Sequence, residues 1–474
     1  MSAGVATHRR EVVRVARPAR IRGSVEVSGD KSISHRAAMF NALARGRATI
    51  DNYSPGADTL STLACLRALG VEVEYQTGPA GAARDGATSD DGAGARPEGA
   101  ANAAGGRPRV VIDGAAGLFA DPLRPLDCGN SGTSMRLLGG ILAGQPIFSV
   151  LTGDDSLSGR PMGRIVDPLR QMGARITGRQ GGRYAPLAID GGELKAIDYA
   201  APVASAQIKS CVLLAGLQAD GLTTVTAPAA SRDHTERMLA AQGAEVTVDG
   251  ASVAIRGGAR LRAVDVVVPG DFSSAAYWLA LGCLHPDAEV TIRNVGINPG
   301  RTGFLDILRE MGADVTVVNE RVVAGEPRAD LVARSSRLRG TVVGGDVVPR
   351  AIDELPLVAV LGLFAEGTTE IRDAAELRVK ESDRIASLAR EIGRMGGDVE
   401  ERPNGLAVRG GRTLEDAACE TYSDHRLAMS LAIAGLVGPR IDILGAECAS
   451  ISYPAFWDHA RALGGTVSVL EPAR

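Results

Sequence analysis

The sequence predicts an α/β protein of two domains, each assembled from three copies of one helix–strand unit. Three observations lead there. At 474 residues the chain is too long for a single hydrophobic core. A phrase recurs along it: "LRALGVEV", "LRQMGARI", "LAAQGAEV", "LREMGADV", "IGRMGGDV" and "ARALGGTV". Each copy reads as a helix end, a Gly suited to the left-handed position after it, and a strand. A second phrase keeps step with the first, a polar residue opening an Ala/Leu-rich helix, at Asp30, Asn130, Ser205, Asp271, Asp353 and Asp424.

The elements follow in order. "EVVRVARPARIRGSVEV" supplies strands and a crossing between the domains. "SGDKSISHRA", from Ser28, opens the first helix, with Asp30 or Ser32 as its cap. The tract at 77–108 lacks any large apolar side chain and cannot pack a core, so it reads as a flexible Gly/Ala-rich insertion. Without its 32 residues the glycines that end the helices recur roughly every 70 residues, which makes six units. Most of the helices are apolar nearly all round, as buried helices are. The chain passes from the third unit to the fourth near "AVDVVVPGDF". This divides it into a discontinuous domain, 1–27 with 269–474, and a second domain, 28–268. Three parallel buried helices per domain would turn their N-termini the same way, and two such domains face to face would form an anion-binding cleft.

Composition removes several classes of function. Only 3% of the residues are aromatic and the pI is near 6.0, so neither stacking platforms nor a basic footprint for nucleic acid is present. The apolar runs are too short to cross a bilayer, and no signal-peptide core opens the sequence. The six cysteines are scattered without CxxC spacing and read as small buried hydrophobes in a reducing compartment, the cytoplasm. No HExxH, Walker loop or GxSxG appears.

The unit starts hold side chains that a core helix does not need. Lys31, Ser32 and Arg36 stand at the first; Asn130, Ser131, Gly132, Thr133 and Arg136 at the second; Ser205, Gln207 and Lys209 at the third; Asp424, His425 and Arg426 at the last. "TGDDSLSGRPMGR" adds Arg160, and "SRDHTERML" adds Ser231, Arg232, Asp233 and His234. Arginine suits a two-pronged grip on carboxylate or phosphate. In "LRVKESDRIASLAREIGRMGG" the spacing of Ile385, Leu388, Ile392 and Met395 predicts a buried helix face. Lys380 and Arg384, four apart, are expected to share another face and repel unless a dianion lies between them. Asp353 is expected to cap the fifth helix, and a carboxylate at the edge of an anion site is also a candidate general base.

In this order, "SGDKSISHRA", "GNSGTSMRL", "SAQIKS", "SRDHTERML", "LRVKESDRIA" and "YSDHRLAM" resemble the 3-phosphoshikimate 1-carboxyvinyltransferase (EPSP synthase) family of enolpyruvyl transferases. The likeness runs from about Val12 to the C-terminus, apart from the insertion. It implies the two-domain enolpyruvyl transferase fold, each domain three βαβαββ units. It implies transfer of the enolpyruvyl group of phosphoenolpyruvate to the 5-hydroxyl of shikimate 3-phosphate by addition and elimination, with release of phosphate. By motif, Lys31, Ser32, Arg36, Ser205, Ala206, Gln207, Ser231, Arg232, Asp353 and Lys380 would bind shikimate 3-phosphate. Lys31, Asn130, Gly132, Arg160, Gln207, Arg384 and Arg426 would surround phosphoenolpyruvate. Asp353, Lys380, Glu381 and Lys31 would be catalytic. The resemblance further implies no cofactor, no metal, no nucleic-acid or membrane partner, a monomer, and, through Gly132, sensitivity to glyphosate. Two positions depart from the family pattern: Glu376, where many relatives have Asn, and Ile451, where many have Lys. The rival readings are an enolpyruvyl transferase acting on UDP-N-acetylglucosamine and a non-catalytic anion-binding relative. The first usually carries a reactive Cys in the loop matching "GDDSLSGRP", and this chain has none there.

Overall fold

The computed structural model describes residues 10–77, 107–229, 231–323 and 325–470. The proposed flexible insertion therefore lies almost wholly outside the described residues.

Six four-stranded sheets are present, one per predicted unit, and all share one plan. A parallel pair of strands flanks the central helix, and the second strand of that pair continues into an antiparallel hairpin. In the second unit, for example, Leu126–Asp127 runs parallel to Phe148–Thr152 with the helix Gly132–Ala143 between them, as a βαβ connection requires. Tyr184–Asp190 then pairs antiparallel with both Phe148–Thr152 and Arg175–Gly178.

Three sheets borrow a strand from far along the chain. Val12–Ala16 lies between Ile441–Leu444 and Thr466–Leu470. Ile21–Glu26 runs parallel to Ala288–Gly296, and Val266–Val267 runs parallel to Arg45–Asp51. Between these borrowed strands the chain crosses twice, side by side: Asp30 N–H donates to Pro269 O (2.8 Å) and Asp271 N–H to Ser28 O (2.9 Å). The approach demands glycine at position 29, where a Cβ would sit 1.8 Å from Asn52 O.

Buried apolar side chains fall into two clusters. One gathers residues between Val13 and Val27 with those between Phe272 and Leu463; the other gathers Ile33 to Val268. Within each, three helices stand at the centre: Lys31–Leu43, Gly132–Ala143 and Ala206–Gly216 in one, Phe272–Leu284, Leu355–Phe364 and His425–Val437 in the other. Every residue of His425–Val437 is buried, as its all-round apolar sequence foretold. All six cysteines are free and buried.

Asp30, Ser205, Asp271 and Asp424 cap their helices as expected. Two expectations fail. Ser131, not Asn130, caps the second helix, accepting from Ser134 N–H at 3.0 Å. Glu354 precedes the fifth helix without a side-chain cap, because Asp353 is drawn away by cations across the cleft.

Candidate active site

The starts of all six central helices meet at one cleft of about 530 Å³. Its lining carries ten Lys and Arg side chains against six Asp and Glu. The chain as a whole is acidic, so this positive excess is local. The unpaired N–H groups of the helix starts reinforce it.

On the wall built from residues 28–268, cations rest largely on neutral partners. Arg36 is buried; its Nε donates to Thr235 Oγ1 (2.7 Å), Nη2 to Ser210 Oγ (2.9 Å) and Nη1 to Ser32 O (3.0 Å). Burial pushes its pKa down to about 10. Arg136 donates to Gln207 Oε1 (2.5 Å) and Pro161 O (3.3 Å), and burial, then Arg160, pushes it down to about 10 as well. Gln207 in turn donates to Thr133 Oγ1 at 3.0 Å. Arg160 Nη2 donates to Asn130 Oδ1 (2.6 Å), while Nη1 lies 3.4 Å from Glu381 across the cleft. Ser231 Oγ is buried without a hydrogen-bond partner among the described residues. Lys31 pairs with a carboxylate of its own wall, Asp58 Oδ2 at 3.1 Å, whereas Arg160, Arg164 and Arg232 meet carboxylates only across the cleft.

On the opposite wall Arg384, Arg301 and Lys380 lie against carboxylates. Arg384 is fully buried and grips Asp424 through Nε (2.8 Å) and Nη2 (3.1 Å), and Glu381 through Nη2 (2.7 Å). Asp353 accepts from Arg232 of the facing wall at 2.6 Å, with Lys380 at 3.9 Å and Arg301 at 3.6 Å. Burial alone would raise the Asp353 carboxyl, but Arg232, Lys380, Arg426 and Arg301 outweigh it and hold it well below the usual range. Glu381 is held low in the same way, Arg384 and Arg160 opposing its burial. Buried Arg426 makes one long contact, Nη1 to Tyr277 Oη at 3.5 Å, so most of its N–H fork is uncommitted among the described residues.

Of the residues singled out from the sequence, Lys31, Ser32, Arg36, Gly132, Arg160, Ser205, Ala206, Gln207, Ser231, Arg232, Asp353, Lys380, Glu381, Arg384 and Arg426 all line this cleft. Asn130 stands behind Arg160 and holds it. The expected clash of Lys380 with Arg384 on one helix face does not occur. Lys380 ends a short 3-10 turn, Ala375–Val379, and Arg384 begins the next helix after the Asp383 cap, with Glu381 between them. Ile385, Leu388, Ile392 and Met395 are buried as their spacing required. Ile451, the apolar departure, packs against the larger apolar cluster.

Five charged lining residues were absent from the sequence-derived site: Asp58, Arg164, Arg301, Asp373 and Glu376. Arg164 binds both oxygens of Glu376 across the cleft, at 2.8 and 3.0 Å. Each is a lone charged residue in a loop or helix, and no local pattern separates it from a solvated one.

The architecture is that of an enolpyruvyl transferase. The enolpyruvyl transferase NikO from Streptomyces tendae superposes with a TM-score of 0.74 over 98% of this chain and all of that one, at 20% identity, a likeness of fold. An EPSP synthase from Acinetobacter baumannii superposes with a TM-score of 0.81 at 40% identity, covering 98% of this chain and all of that one. The sequence pattern of EPSP synthase (3-phosphoshikimate 1-carboxyvinyltransferase) matches residues 15–83 and 101–460. Curated proteins named 3-phosphoshikimate 1-carboxyvinyltransferase are 53% identical in Gloeobacter violaceus (93% of this chain, 96% of that one) and 47% identical in Geobacillus kaustophilus (94% and 98%). The chain belongs to the EPSP synthase family, the 3-phosphoshikimate 1-carboxyvinyltransferases of the shikimate pathway, and is an enzyme of that kind.

Proposed function

We propose that the cleft carries out the family reaction with the residues named above in the following roles. Shikimate 3-phosphate binds against Lys31, Ser32, Arg36, Ser205, Ala206, Gln207, Ser231 and Arg232. Phosphoenolpyruvate lies beside it, its phosphate near Lys31, Gly132, Arg160 and Gln207, its carboxylate held by Arg384 and Arg426. Arg36 and Arg136, desolvated and without carboxylate partners, favour an incoming dianion. Arg426 has the free N–H groups a carboxylate needs.

Asp353, ionised at neutral pH, takes the proton of the 5-hydroxyl as its oxygen attacks C2 of phosphoenolpyruvate, with Lys380 alongside. In the same addition the methylene carbon C3 gains a proton from the Lys380 ammonium, which recovers one from Asp353 beside it, giving a tetrahedral adduct. Glu381, ionised and beside Arg384 and Arg160, accepts a proton from C3 as the C2–O bond to phosphate breaks. The surrounding guanidinium and ammonium groups stabilise the departing phosphate without reorganising. Lys31 serves both substrates and is kept in place by Asp58.

Residues 1–27 with 269–474 and residues 28–268 act as two domains that close on the substrates and exclude water. Their separate apolar clusters and the paired crossings at residues 28–30 and 269–271 support this reading. An oxidisable nucleophile has no place in the scheme, since Cys128 is buried and its thiol is raised well above its usual pKa.

The observation that carries the proposal is the positive cleft at six helix starts, holding two carboxylates kept ionised by cations. Phosphate release from phosphoenolpyruvate tests it. Release should require shikimate 3-phosphate and should collapse in Asp353→Ala. Release with UDP-N-acetylglucosamine instead, or tight binding of shikimate 3-phosphate without release, would overturn it.

A further inference from the structure

Arg301 lies outside every motif that announced the site, yet it sits at the meeting point of the two crossings. Its side chain is 4% exposed. One nitrogen, Nη2, donates to Asp271 Oδ1 (2.9 Å) and Ser273 Oγ (2.9 Å) and touches Asp30 Oδ2 (3.5 Å). The other, Nη1, points to Asp353 Oδ2 at 3.6 Å.

Those first partners are themselves fixed. Asp30 caps the helix Lys31–Leu43 through Oδ1, accepting from Ile33 N–H (2.8 Å). Asp271 caps the helix Phe272–Leu284 by accepting from Ser273 N–H (2.8 Å), and its Oδ2 accepts from Lys31 N–H across the crossing (3.0 Å). Arg301 thus grips one helix start from each apolar cluster with one nitrogen and Asp353 with the other. A single buried guanidinium faces three carboxylates. That is an excess of negative charge, relieved at Asp353 by Arg232 alone at hydrogen-bonding distance.

We propose that Arg301 is a positioning residue, which locks the Asp353 carboxylate to the junction of the two crossings so that the base keeps its place when substrate draws Arg232 away. This rests on the reading of Asp353 as base and of Arg232 as a ligand of shikimate 3-phosphate. Losing Arg232 to the substrate leaves Asp353 with one close guanidinium and with Asp30 and Asp271 behind it. The carboxylate then accepts a proton more readily, without moving. Arg232 and Arg301 face it directly, Lys380 and Arg426 from the same wall, with Arg384 and Glu354 beyond.

The test is Arg301→Lys, which keeps the charge but cannot span both anchors. Turnover should fall about 10- to 100-fold, as a displaced base requires. The KM for each substrate and the equilibrium binding of shikimate 3-phosphate should stay within about threefold. The acid limb of the kcat profile should move to higher pH, since a lysine ammonium held at Asp271 stands farther from Asp353 than the guanidinium at 3.6 Å. Should Arg301→Lys not fold, Asp271→Asn keeps a capping oxygen and removes the anionic anchor; it should show a smaller loss of kcat with binding preserved. Wild-type kcat and acid limb in a folded variant would overturn the proposal, as would a loss confined to KM. Asp353→Asn, run in parallel, separates the two readings. If it turns over normally, the base assignment fails. If it is dead while Arg301→Lys is unimpaired, only the role of Arg301 fails.

Discussion

The two walls of the cleft solve opposite electrostatic problems. On the 28–268 side, Arg36 and Arg136 are buried on hydroxyl, amide and carbonyl oxygens, and burial lowers both to about 10. On the facing side, Arg384 and Arg301 are buried against carboxylates, which outweigh their desolvation and raise both. The difference shows how one cleft both binds dianions and keeps bases ionised. A cation without a carboxylate retains its attraction for substrate. A cation committed to a carboxylate instead holds that acid in its charged form.

The largest effect should come from the carboxylate-rich wall. Asp353→Asn should lower kcat by about 10²- to 10⁴-fold, read by phosphate release, with binding of shikimate 3-phosphate retained. A fall in binding with kcat intact would place Asp353 on the binding side of the comparison instead.

Next comes the contrast in stability. Arg384→Gln strands buried Asp424 and should cost about 3–5 kcal/mol in denaturant unfolding. Arg36→Gln leaves no carboxylate stranded within hydrogen-bonding distance. It should cost under about half as much while raising the KM for shikimate 3-phosphate about tenfold or more. Equal losses of stability would erase the distinction between the walls.

Gly132→Ala probes the binding wall sterically. A Cβ there would stand 2.9 Å from Arg136 Nη1, so that guanidinium must shift, and 3.4 Å from Arg160 Nη1, in contact with it. The KM for phosphoenolpyruvate should rise roughly 5- to 30-fold, from an overpacking cost of about 1–2 kcal/mol. Inhibition by glyphosate, which the family resemblance leads us to expect, should weaken with it.

Each wall also buries a histidine. Burial lowers His35 to about 3 and His425 to about 4, from an ordinary 6.5. Between those values the unfolded chain binds more protons than the folded one. The stability each contributes is therefore complete above pH 6.5 and is lost as pH falls. From pH 6.5 towards 5 stability should drop by up to about 1.4 kcal/mol per pH unit for each histidine. In His35→Gln that slope, measured by denaturant unfolding, should be roughly halved.

The smallest effect is expected at the cleft mouth. Arg164 and Glu376 bridge the walls but are 33% and 41% exposed, so Glu376→Gln should change KM less than about fivefold, and less still at high salt.

Much of this was legible in the one-dimensional pattern. Helix, glycine and strand recur because each unit must end its helix with a left-handed residue, and that turn is written in adjacent residues. The six polar helix starts were visible for the same reason: a cap satisfies N–H groups two or three residues away. Where two neighbours competed for one role, local pattern misled. Asn130 and Asp353 looked like caps, but Arg160 and Arg232, distant in sequence, hold those side chains instead.

The sequence by itself determined the repeat, the buried helices, the cationic helix starts and the family, since these rest on local hydrogen bonding and residue order. Only the tertiary structure decided which cation meets which anion. Asp30, Asp271, Arg301 and Asp353 are spread across more than 300 residues of chain, yet they meet within one guanidinium's reach. Ion pairing depends on distances of a few ångströms and on the burial that strengthens it, and both arise only when the two halves are folded against each other.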